Sequence, residues 1–167
     1  MHVKLNFFAK KDLGKGRIFL VVMLWSAIIA FIVIKVFWVE YTTNPRFYIY
    51  KDLFAQYDAP APQLLDLLIL VVASVGISFL MSTPEDLIYG FIASLFLSFF
   101  TGVVYVFLYI WYILDFGVLF SGLLYAWEIP LFLAVLNTFR IMFPSVVTTC
   151  MVGAVIGFFV REPAKSV

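Results

Sequence analysis

Glu128, in Trp127-Glu128-Ile129-Pro130, is the side chain whose position speaks most directly of chemistry, because it stands near the middle of the apolar run Gly117 to Phe139. A carboxylate at the centre of a membrane helix costs about 3 kcal/mol on insertion scales, so it must be protonated, paired or facing a wet cavity. Pro130 cannot donate an amide hydrogen to the carbonyl of Ala126. A free carbonyl beside a carboxylate makes a local polar spot suited to a proton or a small cation. Three arrangements compete for Glu128: a neutral carboxyl hydrogen-bonded to Ser121 or to a neighbouring helix, a proton or cation site, and a fixed pair with a basic residue of a partner subunit.

The other reactive residue types are sparse. His2 is the one histidine and Cys150 the one cysteine, so no disulfide forms within the chain and no expected span offers the imidazoles that a haem or zinc site requires. No cofactor or metal is expected. Asp66 and Asp115 do not make an intramembrane aspartyl dyad, because both fall at expected span ends without a surrounding motif, and that chemistry needs the two carboxyls in contact. Glu85 and Asp86 follow Ser82-Thr83-Pro84 and read as a helix start, with Thr83 as N-cap and Pro84 at the first helical position. Phosphate loops, nucleophile elbows and metalloprotease motifs do not occur. The sequence contains no catalytic constellation, and the chain reads as a non-enzyme.

The elements that position these residues must sit in lipid. Hydrophobic residues make up 65% of the 167 and charged ones only 13%, which leaves too little polar surface for a water-soluble domain. A mean hydropathy of +1.09 agrees. The expected fold is an all-α, polytopic transmembrane helix bundle in one domain, with spans at about 18–39, 64–82, 87–114, 117–139 and 141–160. Lys4, Lys10, Lys11, Lys15 and Arg17 form a basic leader over residues 1–17 that keeps the N-terminus cytoplasmic and meets anionic headgroups. The first run is too long and too bulky at its end for a cleaved signal peptide, so it reads as a retained anchor. A lone basic leader is a topology signal, and nucleic acid is set aside as a partner.

Lys35, near the outer end of the first span, is expected to extend its ammonium to the headgroups. Residues 40–63 form the one sizeable loop, rich in aromatics that favour the membrane interface or a docked subunit. Asn137-Thr138-Phe139-Arg140 is expected to make a tight cytoplasmic turn, with Arg140 on phosphate headgroups. This five-span order leaves Arg161 and Lys165 on the outer side, against the positive-inside tendency. A four-span alternative, with a broken or re-entrant segment around Glu128, removes that conflict.

Small residues recur every fourth position: Ser74, Ser78 and Ser82; Gly90, Ser94, Ser98 and Gly102; Gly117 and Ser121; Gly153 and Gly157. Each set makes a groove where another helix backbone can come close, either within this chain or on another subunit. The expected function is that of a non-catalytic integral subunit that scaffolds or stabilises a larger membrane complex, such as a secretion, respiratory or other energy-transducing assembly. Its partners would be membrane lipids and other membrane proteins, in a cytoplasmic membrane of prokaryotic type. The competing expectation is a small channel or proton- or cation-coupled transport component, with Glu128 as the protonatable site.

Overall fold

The computed structural model describes residues 3–43, 61–81, 83–113 and 127–161, and all elements within them are helical. They are α1 (Val3–Thr43), α2 (Leu64–Leu80), α3 (Pro84–Leu108), α4 (Glu128–Ile141) and α5 (Val147–Arg161). A wider π turn, Tyr109–Ile113, prolongs α3, and a second, Met142–Val146, joins α4 to α5. Three stretches are long and apolar enough to cross a membrane, Gly16–Val39, Pro84–Trp111 and Pro130–Val160, and α2 is a shorter apolar helix. The chain is an all-α membrane helix bundle.

The helix ends follow local chemistry. Pro62 precedes an extended Gln63, and Asp66 Oδ2 then accepts the Gln63 amide at 3.2 Å, which satisfies a donor that the first turn leaves open. The break after α2 is the helix start anticipated from sequence: Met81 is extended, Thr83 Oγ1 accepts the Asp86 amide at 3.1 Å, and Pro84 opens α3. Because Pro lacks an amide hydrogen that the first turn would leave unpaired anyway, it costs nothing there.

One expected division is corrected. Residues 137–140 are helical rather than a turn, and the chain runs on from α4 towards α5. Asn137 is buried and donates Nδ2 to the Leu133 carbonyl one turn back at 2.8 Å, so its amide group is satisfied without leaving the helix. The irregularity comes at Phe143 instead, with φ −111° and ψ 130°. Pro144 explains its place, because the ring clashes with a helical residue before it and drives that residue to extended backbone. The expected turn at Asp115 to Gly117 lies outside the described residues, as do Ser82, Ser121, Lys165 and most of the loop 40–63.

Contacts fix the directions. Val22 lies by Gly90 and Val33 by Gly102, so α1 and α3 run the same way. Trp25 meets Ser74 and Lys35 meets Asp66, so α2 runs against α1. Thr138 meets Gly102, while Phe158 shares a groove with Pro84 and Leu87, so α4 and α5 return along α3. Arg161 therefore ends α5 at the end of the bundle where α3 begins. The core between these rods holds Trp25, Ile29, Ile32, Phe37, Leu70 and Ile141, all essentially inaccessible.

The last two helices divide their allegiance: α4 packs chiefly on α3 and α5 chiefly on α2. Close approach of α5 to α2 rests on Gly153, beside Ser74 Cβ and the Val71 carbonyl, and on Gly157, beside Ser78 and the Val75 carbonyl. In lipid there is no hydrophobic gain from pairing apolar helices, so contact of this kind is what holds them.

Candidate functional site

At membrane-facing depth each polar group matters, because no water is present to satisfy it. The strongest feature is an ion pair that the sequence reading did not join. Lys35 Nζ stands 2.6 Å from Asp66 Oδ1, with the Asp66 side chain 2% exposed and the Lys35 side chain 36% exposed. Asp66 Oδ2 takes the Gln63 amide, so both carboxylate oxygens are engaged. Lys35 thus closes on a neighbouring helix rather than simply reaching outward. The signal was present: Lys35 is four residues from the end of the first expected span and Asp66 is third in the next, so an antiparallel pair of spans brings them level.

Below this pair, two interhelical hydrogen bonds tie the rods together. Trp25 Nε1 donates to Ser74 Oγ at 3.2 Å, joining α1 to α2, and the buried Cys150 thiol of α5 lies within hydrogen-bonding reach of the same serine. Ser98 Oγ bonds the Ser26 carbonyl at 3.0 Å, joining α3 to α1. Ser94 returns its hydroxyl to the Phe91 carbonyl of its own helix. The small residues expected to form grooves are thus spent inside this chain. Gly90 faces Val22 and Met81, Gly102 faces Val33 and Thr138, and Gly153 and Gly157 face α2.

Thr138 adds one discord. It is fully buried, and its Oγ1 has no hydrogen-bond partner. An unpaired buried hydroxyl costs on the order of 1–3 kcal/mol. Thr138→Val keeps the branched shape against Gly102 and removes that cost, so it should raise the unfolding midpoint in detergent by the equivalent of about 1 kcal/mol. A lowered midpoint would show that the hydroxyl is satisfied in the folded protein.

Glu128 is not brought to the middle of a helix. It opens α4, is exposed, and lies in the first turn, where the Leu131 amide bonds the Trp127 carbonyl at 3.1 Å. Pro130 is buried two residues on, within the turn whose amides have no helical partner, so its missing donor robs no mid-helix carbonyl. An acidic group at this helix end is favoured by the helix dipole. Ser121, its expected hydrogen-bond partner, lies outside the described residues.

Arg140 moves in the opposite sense, from an expected turn to the interior of a rod. It is exposed on the outer side of α4, two residues beyond Thr138, and is engaged by at least one contact within the chain. Val33, level with Thr138, lies roughly 8 Å along α1 from the middle of Gly16–Val39 at 1.5 Å per residue. Arg140 continues about 3 Å towards that middle. It therefore lies about one helical turn from the centre of the bundle. Of the expected basic leader, Arg17 is exposed near the opposite end of α1's apolar stretch, while Lys10, Lys11 and Lys15 continue the same helix beyond it.

Where α5 leaves α3 for α2, the bundle surface opens into two apolar lobes that share Ile92, of about 490 Å³ and about 420 Å³. The first lies between Pro84, Phe91 and Phe158, and the second between Phe96, Phe139 and Phe143. Among the described residues no three His, Cys, Asp or Glu side chains gather in a metal-binding group. No family model, curated protein or solved structure matches this chain.

Proposed function

We propose that this protein is a non-catalytic, multi-pass membrane subunit whose four apolar rods cross the bilayer, with the N-terminal basic leader and Arg161 on the cytoplasmic side, and which scaffolds a larger membrane complex. One observation carries the reading: a bundle closed on itself inside, by Lys35–Asp66, Trp25–Ser74 and Ser98–Ser26, carries an exposed arginine near mid-depth on its outside. A membrane body meant only for lipid keeps its charges at the interfaces or turned inward. An arginine facing outward at that depth belongs to a body that something else covers.

The four-rod arrangement also puts Arg161 on the side of Lys10, Lys11, Lys15 and Arg17, in accord with the positive-inside tendency. The small-residue grooves no longer argue for partners, because this chain fills them itself. The scaffold reading rests on the outer surface instead.

Gentle detergent extraction of the tagged protein from its own membranes, with size analysis and identification of what accompanies it, tests the reading. Stoichiometric co-purification of other membrane proteins is expected, whereas a particle of this chain alone would overturn it. A transport role centred on Glu128 draws no support from an exposed residue at a helix start. Glu128→Gln should therefore change the stability of the purified protein by less than about 1 kcal/mol, the size of a helix-end charge effect, and should leave any ion flux in proteoliposomes unaltered. Loss of flux on that substitution would restore the transport reading.

A further inference from the structure

The proposed scaffold role leaves open what covers Arg140, and the surroundings of that residue define the chemistry of the answer. On α4 the exposed residues Phe132, Val135, Phe139 and Phe143 follow one another at steps of three, four and four, which makes a single outward stripe. Phe139 and Phe143 stack at 5.5 Å and form one wall of the apolar lobe of about 420 Å³. Arg140 stands on the edge of this stripe, directly after Phe139.

A hydrocarbon core is about 30 Å thick, so a residue about 5 Å from its centre still has roughly 10 Å of lipid tails between it and the nearer headgroups. A guanidinium carries five N–H donors in a planar fork. Whichever of them the chain engages, an exposed arginine offers others outward. Lipid phosphates lie too far away to meet them there. The only other basic residue in the apolar stretches, Lys35, shows how this protein handles such a charge: it meets a carboxylate on the next helix. No carboxylate of this chain lies at the level of Arg140 on the apolar rods, since Asp66 is taken by Lys35 and Glu85 and Asp86 start α3 at the far end.

We infer that the outward face of α4, with the lobe beside Phe139 and Phe143, is the docking site of a transmembrane helix from a partner protein that carries an aspartate or glutamate near its middle and pairs it with Arg140. The apolar side chains flanking that carboxylate fill the lobe. The fork geometry of arginine suits a carboxylate held by two parallel hydrogen bonds. This inference rests on the scaffold reading and adds the face and the partner's chemistry to it.

The full-length protein, in its native membranes and with a photoactivatable phenylalanine replacing Phe132 or Phe143, should crosslink to one membrane protein. The same probe at Phe19 on α1 or Val72 on α2, which are equally exposed, should not. The captured protein, identified by mass spectrometry, should have a carboxylate near the centre of a predicted span. Arg140→Glu should reduce the adduct at least tenfold, Arg140→Lys should retain most of it, and Arg140→Glu combined with the partner's carboxylate changed to arginine should restore it. The wild-type crosslinking pattern requires no Arg140 variant to fold, and the charge exchange shows that a loss is not misfolding.

Adducts formed only from Phe19 or Val72 would overturn this docking face while leaving the scaffold reading in place. So would an adduct insensitive to Arg140→Glu, a partner without an intramembrane carboxylate, or capture of a second copy of this chain. Lipid adducts alone from every position, with a particle containing only this chain, would overturn both.

Discussion

Lys35→Met should destabilise the folded bundle by about 2–3 kcal/mol, less than the 3–5 kcal/mol of a fully buried pair because the lysine side chain is 36% exposed. The two partners are not equivalent. Removing Lys35 strands a carboxylate that is almost wholly buried between α1 and α2. Removing the carboxylate by Asp66→Asn leaves an ammonium on a flexible stem that can reach the headgroups, and the asparagine oxygen can still accept the Gln63 amide. Asp66→Asn should therefore cost only about 1–2 kcal/mol, near the net worth of a hydrogen bond to a charged group. The double substitution Lys35→Met with Asp66→Leu removes both charges and should recover all but about 1 kcal/mol, the amide left without its acceptor. Reversible unfolding in mixed micelles, followed by helical circular dichroism, measures all three. Equal losses for the two single substitutions, or no recovery in the double, would mean that Lys35 and Asp66 do not act as a pair in the folded protein.

What was legible in the sequence was whatever a single helix determines by itself. Apolar length and the scarcity of charge are local properties, and they place α1, α2 and α3; the start of α3 is written in Thr83-Pro84-Glu85-Asp86 because a cap is made within four residues. Properties of pairs were not legible. Lys35 and Asp66 each had an acceptable solitary explanation at an interface, and only the antiparallel register of α1 and α2 joins them.

Asn137-Thr138-Phe139-Arg140 has turn-like composition. Its asparagine nevertheless finds a carbonyl in its own helix, its threonine fits the space left by Gly102, and its arginine faces outward. Tertiary packing thus overrides a local preference. Pro144, which does break the regular helix through Phe143, was the better local signal. The four-residue spacing of Gly and Ser identified contact faces, but spacing alone does not distinguish a neighbour in the same chain from one in another.

That distinction can be tested at Gly153, Gly157 and Gly76, three glycines in the same two helices with opposite surroundings. A methyl group at Gly153 would lie 2.8 Å from the Val71 carbonyl and 3.2 Å from Val71 Cα, as well as 2.8 Å from Ser74 Cβ. None of these atoms can swing aside, so α5 must move off α2. At Gly157 the methyl would overlap Ser78 Oγ and lie 2.8 Å from the Val75 carbonyl; the serine can rotate, at the expense of its bond to that carbonyl, but the carbonyl cannot. Gly153→Ala and Gly157→Ala should each cost about 2–3 kcal/mol, at the upper end of overpacking penalties, because dispersion contact is the main force available between these helices. At Gly76 nothing lies within 4 Å of the added methyl, and Gly76→Ala should be neutral or gain up to about 1 kcal/mol from helix propensity. The three sites share residue type, membrane depth and helix pair, so a difference among them in one unfolding assay reports the α2–α5 contact and not the general effect of replacing glycine. If instead Gly76→Ala proved as damaging as Gly153→Ala, the open face of α2 would itself be covered in the protein as purified, and the contact would belong to another chain.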